Sequence, residues 1–204
     1  VFYDCDADND STTNDGRGKD NLMSSECGWR YLEAAPENLK LVNGSPTIDR
    51  YLNGKNKFIF GYYRETRDGS NILLSTKTGI GEGYNNTNIL VDKMQESAYI
   101  SRSATGTTSS YAARLCYELV YEVNGEEFND WFLPSKDELN LMYENLKSKN
   151  SGLFGAYKYW SSSEDGADYA WLQSFGDGGQ IGQGREGLLY YEPRVRPVRA
   201  FNPI

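Results

Sequence analysis

Histidine is absent from all 204 residues. Its absence removes Ser-His-Asp and Cys-His nucleophile activation and every His-ligated zinc site, leaving acid–base work to carboxylates, Lys or Tyr. Long apolar runs are also missing, and 38% apolar content describes a soluble globular protein, not a membrane or disordered chain. Basic residues number 21 against 29 acidic ones, a formal charge of −8, with no basic patch to meet phosphates. Nucleic acid is therefore not an expected partner. Only three cysteines occur. Cys5 and Cys27 bracket a polar insertion (5–27), while Cys116 lies on the apolar side of a helical pattern. A Cys5–Cys27 disulfide would suit an exported protein; two unrelated buried thiols fit the spacing as well. The chain begins at Val1, without Met or signal peptide, so export is not read from its start.

What is abundant is tyrosine, 16 residues, which leans toward strands and loops. No linker or internal repeat divides the chain, and the reading is one domain over 1–204. Three helices are expected. Asn86–Ser97 carries Ile89, Leu90 and Met94 on one face, and Ser110–Val123 spaces Ala112, Leu115, Cys116, Leu119 and Val120 helically. In the third, Ser135 and Glu138 form an S-x-x-E capping box after Pro134, with Leu139, Met142 and Leu146 as the buried stripe. Strands are expected at "VFYD", "KFIFGYY" (57–63), "YKYWSSS", "YAWLQSF", "GLLYYEP" and "RVRPVRAF" (194–201). The sum is an α+β fold.

Several groups of residues suggest chemistry. Alternating Asp4, Asp6, Asp8 and Asp10, with Asp15, could converge on calcium, the one cofactor considered; none is required. Asn9 stands where an EF-hand needs glycine, and the twelfth position is Asp15, so a solvated acidic insertion is the plainer reading. "GIGEGYNNTN" (79–88) lacks the P-loop lysine and the dinucleotide spacing, and reads as a turn before a helix. Trp131, Trp160 and Trp171 could stack on sugars, but their apolar neighbours favour core packing. Arg196 and Arg199, alternating with Val195 and Val198, are expected to pair with acids such as Glu164.

The stretch "LQSFGDGGQIGQGREGLLYYEP" (172–193) is glycine-rich and mixed, yet lies between the patterned blocks "YWSSSE" (159–164) and "RVRPVRAF". Those blocks, with "GWRYLEAAP", "YAARLC", "DWFLPSKDELNLMYENL" and "AW", resemble bacterial DUF1566-type domains over nearly the whole chain. The resemblance implies a C-type-lectin-like fold of the formylglycine-generating-enzyme subtype, with short strands, flanking helices and much irregular loop; the acidic insertion departs from it. More narrowly, the layout is similar to variable proteins of diversity-generating retroelements. There, a fixed frame, here 159–201, is interrupted by positions rewritten through adenine-specific mutagenesis.

The resemblance implies ligand-binding positions at Asp165, Gly166, Asp168, Tyr169, Leu172, Ser174, Gly176, Asp177, Gly179, Ile181, Gly182, Gln183, Gly184, Glu186, Gly187, Leu188, Leu189 and Tyr190. Gln183 and Glu186 fit AAA codons, and the others AAC. The frame between them would be Ala170, Trp171, Gln173, Phe175, Gly178 and Gln180, with Trp171 and Phe175 pointing inward. A displayed set rich in Gly, Ser, Asp and Tyr matches an antibody paratope in composition. The implied function is binding, without catalysis, of a protein or glycan on another cell, phage or host through the surface of residues 165–191. The protein would be exported or at the cell surface, with no membrane span in this chain and a lipid anchor upstream. A fixed carbohydrate-binding adhesin of the same fold is the alternative. An oxidase of the formylglycine-generating type would need a C-terminal cysteine pair, and none follows Cys116.

Overall fold

The computed structural model describes residues 1–4, 29, 31–43, 45–49, 58–103, 106–149, 154–186 and 193–202. Strands β1 (Tyr3–Asp4), β2 (Tyr31–Ala34), β3 (Asn38–Val42) and β4 (Ser45–Asp49) come first. Helix α1 (Gly83–Met94), the short strands β5 (Ala98–Tyr99) and β6 (Thr107–Thr108), and helix α2 (Ala112–Tyr117) form the middle. Strands β7 (Tyr121–Val123) and β8 (Glu126–Phe128) lead into α3 (Lys136–Met142), which continues as a π-helical turn, Tyr143–Lys147. The chain closes with β9 (Lys158–Glu164), β10 (Tyr169–Ser174), β11 (Gln180–Gly184) and β12 (Val198–Phe201). Among the described residues all strand pairs are antiparallel, in two three-stranded sheets, β1-β2-β12 and β11-β10-β9, and three two-stranded ones. Helix and strand are thus mixed in small sheets, an α+β arrangement. Among the described residues no helix is long and apolar enough to cross a membrane.

Strand β9 is the hub, buried at every residue from Tyr159 to Glu164. Trp160, with Ala170 and Leu172 of β10, packs against Leu90 and Met94 of α1 and Leu115 and Cys116 of α2. Tyr159 and Phe175 join a second cluster with Leu139 and Met142 of α3, Phe132 and Val198. The three serines between Trp160 and Glu164 are hydrogen-bonding spacers. Ser161 Oγ donates to the Trp171 carbonyl (2.8 Å), Ser162 Oγ accepts from Asn86 Nδ2 (3.2 Å), and Ser163 Oγ donates to the Lys77 carbonyl (2.7 Å) while accepting from Lys136 N (3.0 Å). The small hydroxyls of Ser161 and Ser163 satisfy buried backbone, and that of Ser162 a buried side-chain amide, where larger side chains would push the elements apart.

The capping box forms as expected, Ser135 and Glu138 bonding reciprocally. Glu138 is fully buried and its second oxygen accepts from Gly81 N (2.9 Å), while Ser135 Oγ donates to the Gly79 carbonyl (2.7 Å). The glycine-rich segment is therefore a turn clamped on α3. Gly83 is obligatory there, because a Cβ would collide with the Glu138 carboxylate, the Phe132 ring and Ser135 N. Burial pushes the Glu138 carboxyl up to about 7, against the backbone N–H donors of Ser135, Gly81 and Gly83 that lower it. A folded-state value above the ordinary 4.5 means the fold holds the proton more tightly than the unfolded chain. This group's stabilisation is therefore greatest below pH 4.5 and is lost as pH rises through about 7, by up to about 3 kcal/mol. Between pH 4.5 and 8 the unfolding free energy of wild type should fall relative to that of Glu138→Gln by up to about 3 kcal/mol; parallel curves would refute the shift.

Four expectations are corrected. The segment "KFIFGYY" is not a strand: from Phe58 on it makes only single bridges, Ile59 with Tyr111 and Tyr62 with Tyr99, and Gly61 turns to φ +93°. The helix at Ser110–Val123 stops at Tyr117, because Asn124-Gly125, both at positive φ (53° and 86°), closes a hairpin between β7 and β8. Val120, left outside that helix, is 52% exposed. Ile89 is exposed while Leu90 and Met94 are buried, since α1 begins at Gly83 and turns a different stripe inward. Strand "GLLYYEP" (187–193), Cys5 and Cys27, and Asp6, Asp8 and Asp10 lie outside the described residues, apart from Pro193. Asp4 sits in β1, opposite Tyr31. Among the described residues no group of three or more Asp, Glu or Cys side chains gathers as a metal site.

Candidate functional site

Strand register decides which face each candidate residue occupies. Across the β10–β11 hairpin, Tyr169 faces Gly184, Trp171 faces Gly182 and Gln173 faces Gln180; the intervening pairs are Ala170 with Gln183 and Leu172 with Ile181. Cross-strand partners share a face. Helix α3 partly covers the first: Gln173 Nε2 donates to Asn140 Oδ1 (2.7 Å), and Gln180 Nε2 to the Lys136 carbonyl (2.9 Å). Toward the other end the face opens, leaving Tyr169 43% exposed and Trp171 half-buried.

Cations border these rings. The Lys136 ammonium lies 4.5 Å from the Trp171 ring centroid, and the Arg102 guanidinium 5.5 Å from that of Tyr169. Asp165 leans over Gly182, where a Cβ would strike its carboxylate. The result is an aromatic strip edged by charge of both signs. Gly184 leaves it uncovered on the β11 side, while beside Gly182 the Asp165 carboxylate takes the place of a side chain.

A buried ion pair holds this strip in place. Arg185 and Glu164 meet with both side chains at 0% exposure. Glu164 also accepts from Leu74 N (2.9 Å) and Thr76 N (3.1 Å). Arg185 Nη2 donates to the Gly166 carbonyl (2.7 Å) and Nε to the Tyr169 carbonyl (3.3 Å), while the guanidinium lies over the Phe60 ring. Together they tie the 165–168 turn to both ends of the sheet and to the 72–76 segment. Glu164 was expected to meet Arg196 or Arg199; its partner is Arg185 instead. Arg196 is buried over Phe154 and donates to the Pro36 carbonyl (2.7 Å) and Asn38 Oδ1 (3.2 Å). Arg199 pairs with Glu33 (3.1 Å) and Asp130 (2.9 Å).

Of the candidate binding positions, Asp165, Gly166, Tyr169, Gly176, Asp177, Gly179 and Ile181 are exposed. Asp165, Gly166, Tyr169, Gly182 and Gly184 share the open end of the face, whereas Gly176, Asp177 and Gly179 lie at the hairpin turn beyond it. Ser174 and Glu186 are half-buried. Three placements differ from expectation. Leu172 is 1% exposed in the main cluster, because its side of β10 faces α1 and α2. Gln183, opposite Ala170 on the same face, is also buried. Asp168 is committed internally, accepting from Arg102 Nη2 (2.6 Å) and Asn71 Nδ2 (2.6 Å), contacts that hold its carboxyl below the usual range. Among frame residues Phe175 does point inward, but Trp171 does not. Gly187, Leu188, Leu189 and Tyr190 lie outside the described residues. Arg102, Lys136, Asn71 and Arg185 were absent from the candidate set; the first three are remote in sequence, and only an arginine amid glycines marked the fourth.

No protein-family model matches the chain, and no curated protein matches it.

Proposed function

We propose that the protein is a ligand-binding display protein, with a C-type-lectin-like fold of the formylglycine-generating-enzyme subtype and a role like that of variable proteins of diversity-generating retroelements. Its binding surface is the exposed part of residues 165–191, and its ligand a protein or glycan on another cell, phage or host, met by an exported or surface-held protein. The observation that carries this reading is a partial segregation along one hairpin, from which Leu172, Gln183 and Trp171 depart. Frame residues Ala170, Gln173 and Phe175 are 0% exposed, while Asp165, Tyr169, Asp177 and Ile181, all types reachable from AAC, face solvent. A surface can be re-chosen only where its side chains carry little folding energy, and exposed positions change stability by about 0.5 kcal/mol or less each. Tyr and Ile at such positions supply contact area for binding. The reading assigns binding and no covalent chemistry.

One observation favours the second reading, a fixed carbohydrate-binding adhesin: half-buried Trp171 with glycine across from it is a platform on which a sugar ring could stack.

Two measurements test the proposal. Joint replacement of Asp165, Tyr169, Asp177 and Ile181 by Ser should cost less than about 2 kcal/mol of unfolding free energy; a larger cooperative loss would show that these side chains build the fold. The DNA around the gene should hold a near-copy of the segment encoding 159–201, differing at adenines, beside a reverse transcriptase gene. Its absence would leave the fixed adhesin standing.

A further inference from the structure

We propose that the outer edge of β11 binds an extended polypeptide segment of a partner by strand addition, with a basic partner side chain set against Asp165 over Gly182. This rests on the reading of 165–191 as a binding surface, and names the mode of binding and the chemistry of the ligand.

The backbone geometry points to the edge. Ser174 N donates to the Gly179 carbonyl (2.8 Å), and Arg185 N to the Asp168 carbonyl (3.2 Å). Hydrogen-bonded pairs alternate along an antiparallel ladder, so Leu172 with Ile181 and Ala170 with Gln183 exchange the bonds in between. The N–H and C=O groups of Gly182 and Gly184 therefore point away from β10. The sheet order β11-β10-β9 puts β11 at the margin, and among the described residues no hydrogen bond reaches the backbone of either glycine from that side. Proteins usually guard such an edge with lysine, proline or a covering segment. The stretch Gln180–Gly184 has neither charge nor proline, and Ile181 on it is 44% exposed.

The side chains nearby select the occupant. An added strand would lie beside two glycines, its side chains crossing the open Gly184 to reach Tyr169 and meeting the Asp165 carboxylate over Gly182. The Asp165 carboxylate leans over Gly182 and makes no hydrogen bond or ion pair among the described residues, while its backbone N–H donates to the Tyr169 carbonyl (2.9 Å). The Trp171 ring already carries Lys136, so an incoming cation is drawn to the Asp165 carboxylate. A second copy of this chain is a poorer occupant. Antiparallel pairing of β11 with itself about Gly182 would bring two Asp165 carboxylates together, and like charges placed opposite are destabilising.

The probes are synthetic Thr-rich heptapeptides with Lys at the centre, the same with Glu, and the Lys peptide N-methylated on alternate backbone nitrogens. Fluorescence anisotropy should show the Glu and N-methylated peptides binding at least ten-fold more weakly than the Lys peptide. Amide exchange should slow at Gly182 and Gly184 on binding. Asp165→Lys should reverse the charge preference. Gly184→Pro, at a site where a Cβ meets nothing within 4 Å and the N–H faces outward, should weaken binding at least ten-fold. The N-methylated peptide tests the same contact without altering the protein. Equal binding of methylated and unmethylated peptides, no binding of any peptide at millimolar concentration, or a peptide-resistant dimer in sedimentation would each overturn the proposal. If Tyr169→Ser weakens capture of the Lys peptide while N-methylation does not, strand addition falls and the binding surface stands. If neither matters, both fall.

Discussion

Arg185→Ala should cost about 3–5 kcal/mol of unfolding free energy, although Arg185 lies in the loosest-looking part of the sequence. The substitution leaves the Glu164 carboxylate at 0% side-chain exposure without its counter-charge. It also strips a donor from the Gly166 and Tyr169 carbonyls, so the 165–168 turn loses its tie to β11. The mechanism is specific: breaking one side of a buried pair costs far more than removing both. Nη1 of Arg185 is buried with no hydrogen-bond partner among the described residues, so the pair is not fully satisfied by them even when intact. The double variant Glu164→Gln, Arg185→Met should therefore be more stable than Arg185→Ala alone, since Gln keeps an acceptor for Leu74 N and Thr76 N. Chemical denaturation of the three proteins checks this. A loss below about 1 kcal/mol for Arg185→Ala, the range of an exposed pair, would show that the pair is not buried in solution.

Trp160→Ala is the second large effect, again about 3–5 kcal/mol. Trp160 is 0% exposed, packs edge-to-face on Phe60 with ring centroids 5.8 Å apart, and donates its Nε1 hydrogen to the Phe58 carbonyl (2.7 Å). Alanine would leave a cavity where β9, α1 and α2 meet and would orphan that carbonyl. Trp160→Phe should fall between, keeping much of the volume while losing the bond. Trp171→Ala gives the contrast: its ring is half-buried on the outer face, so its loss should be clearly the smaller in thermal or urea unfolding. The reverse order would mean that β10 presents the opposite face to the core.

That face could not be read from sequence. The pattern "YAWLQSF" shows a strand, but Trp171 and Leu172 are both apolar neighbours, and alternation allows either to be the inward one. Leu172 and Ile181 make the point sharper. They are cross-strand partners of similar chemistry, yet one is 1% and the other 44% exposed, because Leu172 on the central strand joins the main core cluster and Ile181 on the marginal strand does not. Local signals fared better. The S-x-x-E box at Ser135 needs only residues within one helical turn, and it forms. The Asn124-Gly125 turn is equally local, but the helical spacing over Ser110–Val123 extends across β7, the first strand of its hairpin.

By itself, then, the sequence determined what short-range chemistry can specify: mixed helix and strand, the start of α3, and the strands through "YWSSSE" and "YAWLQS"; that Gln180–Gly184 returns as β11 to pair with β10 was not among its readings. The tertiary structure alone decided which side of the β10–β11 hairpin is open and what holds it. Arg102 reaches Asp168 across 66 positions, Asn71 reaches it across 97, and Leu74 reaches Glu164 across 90. Such contacts leave no periodicity in the chain, since each depends on where packing brings distant loops together.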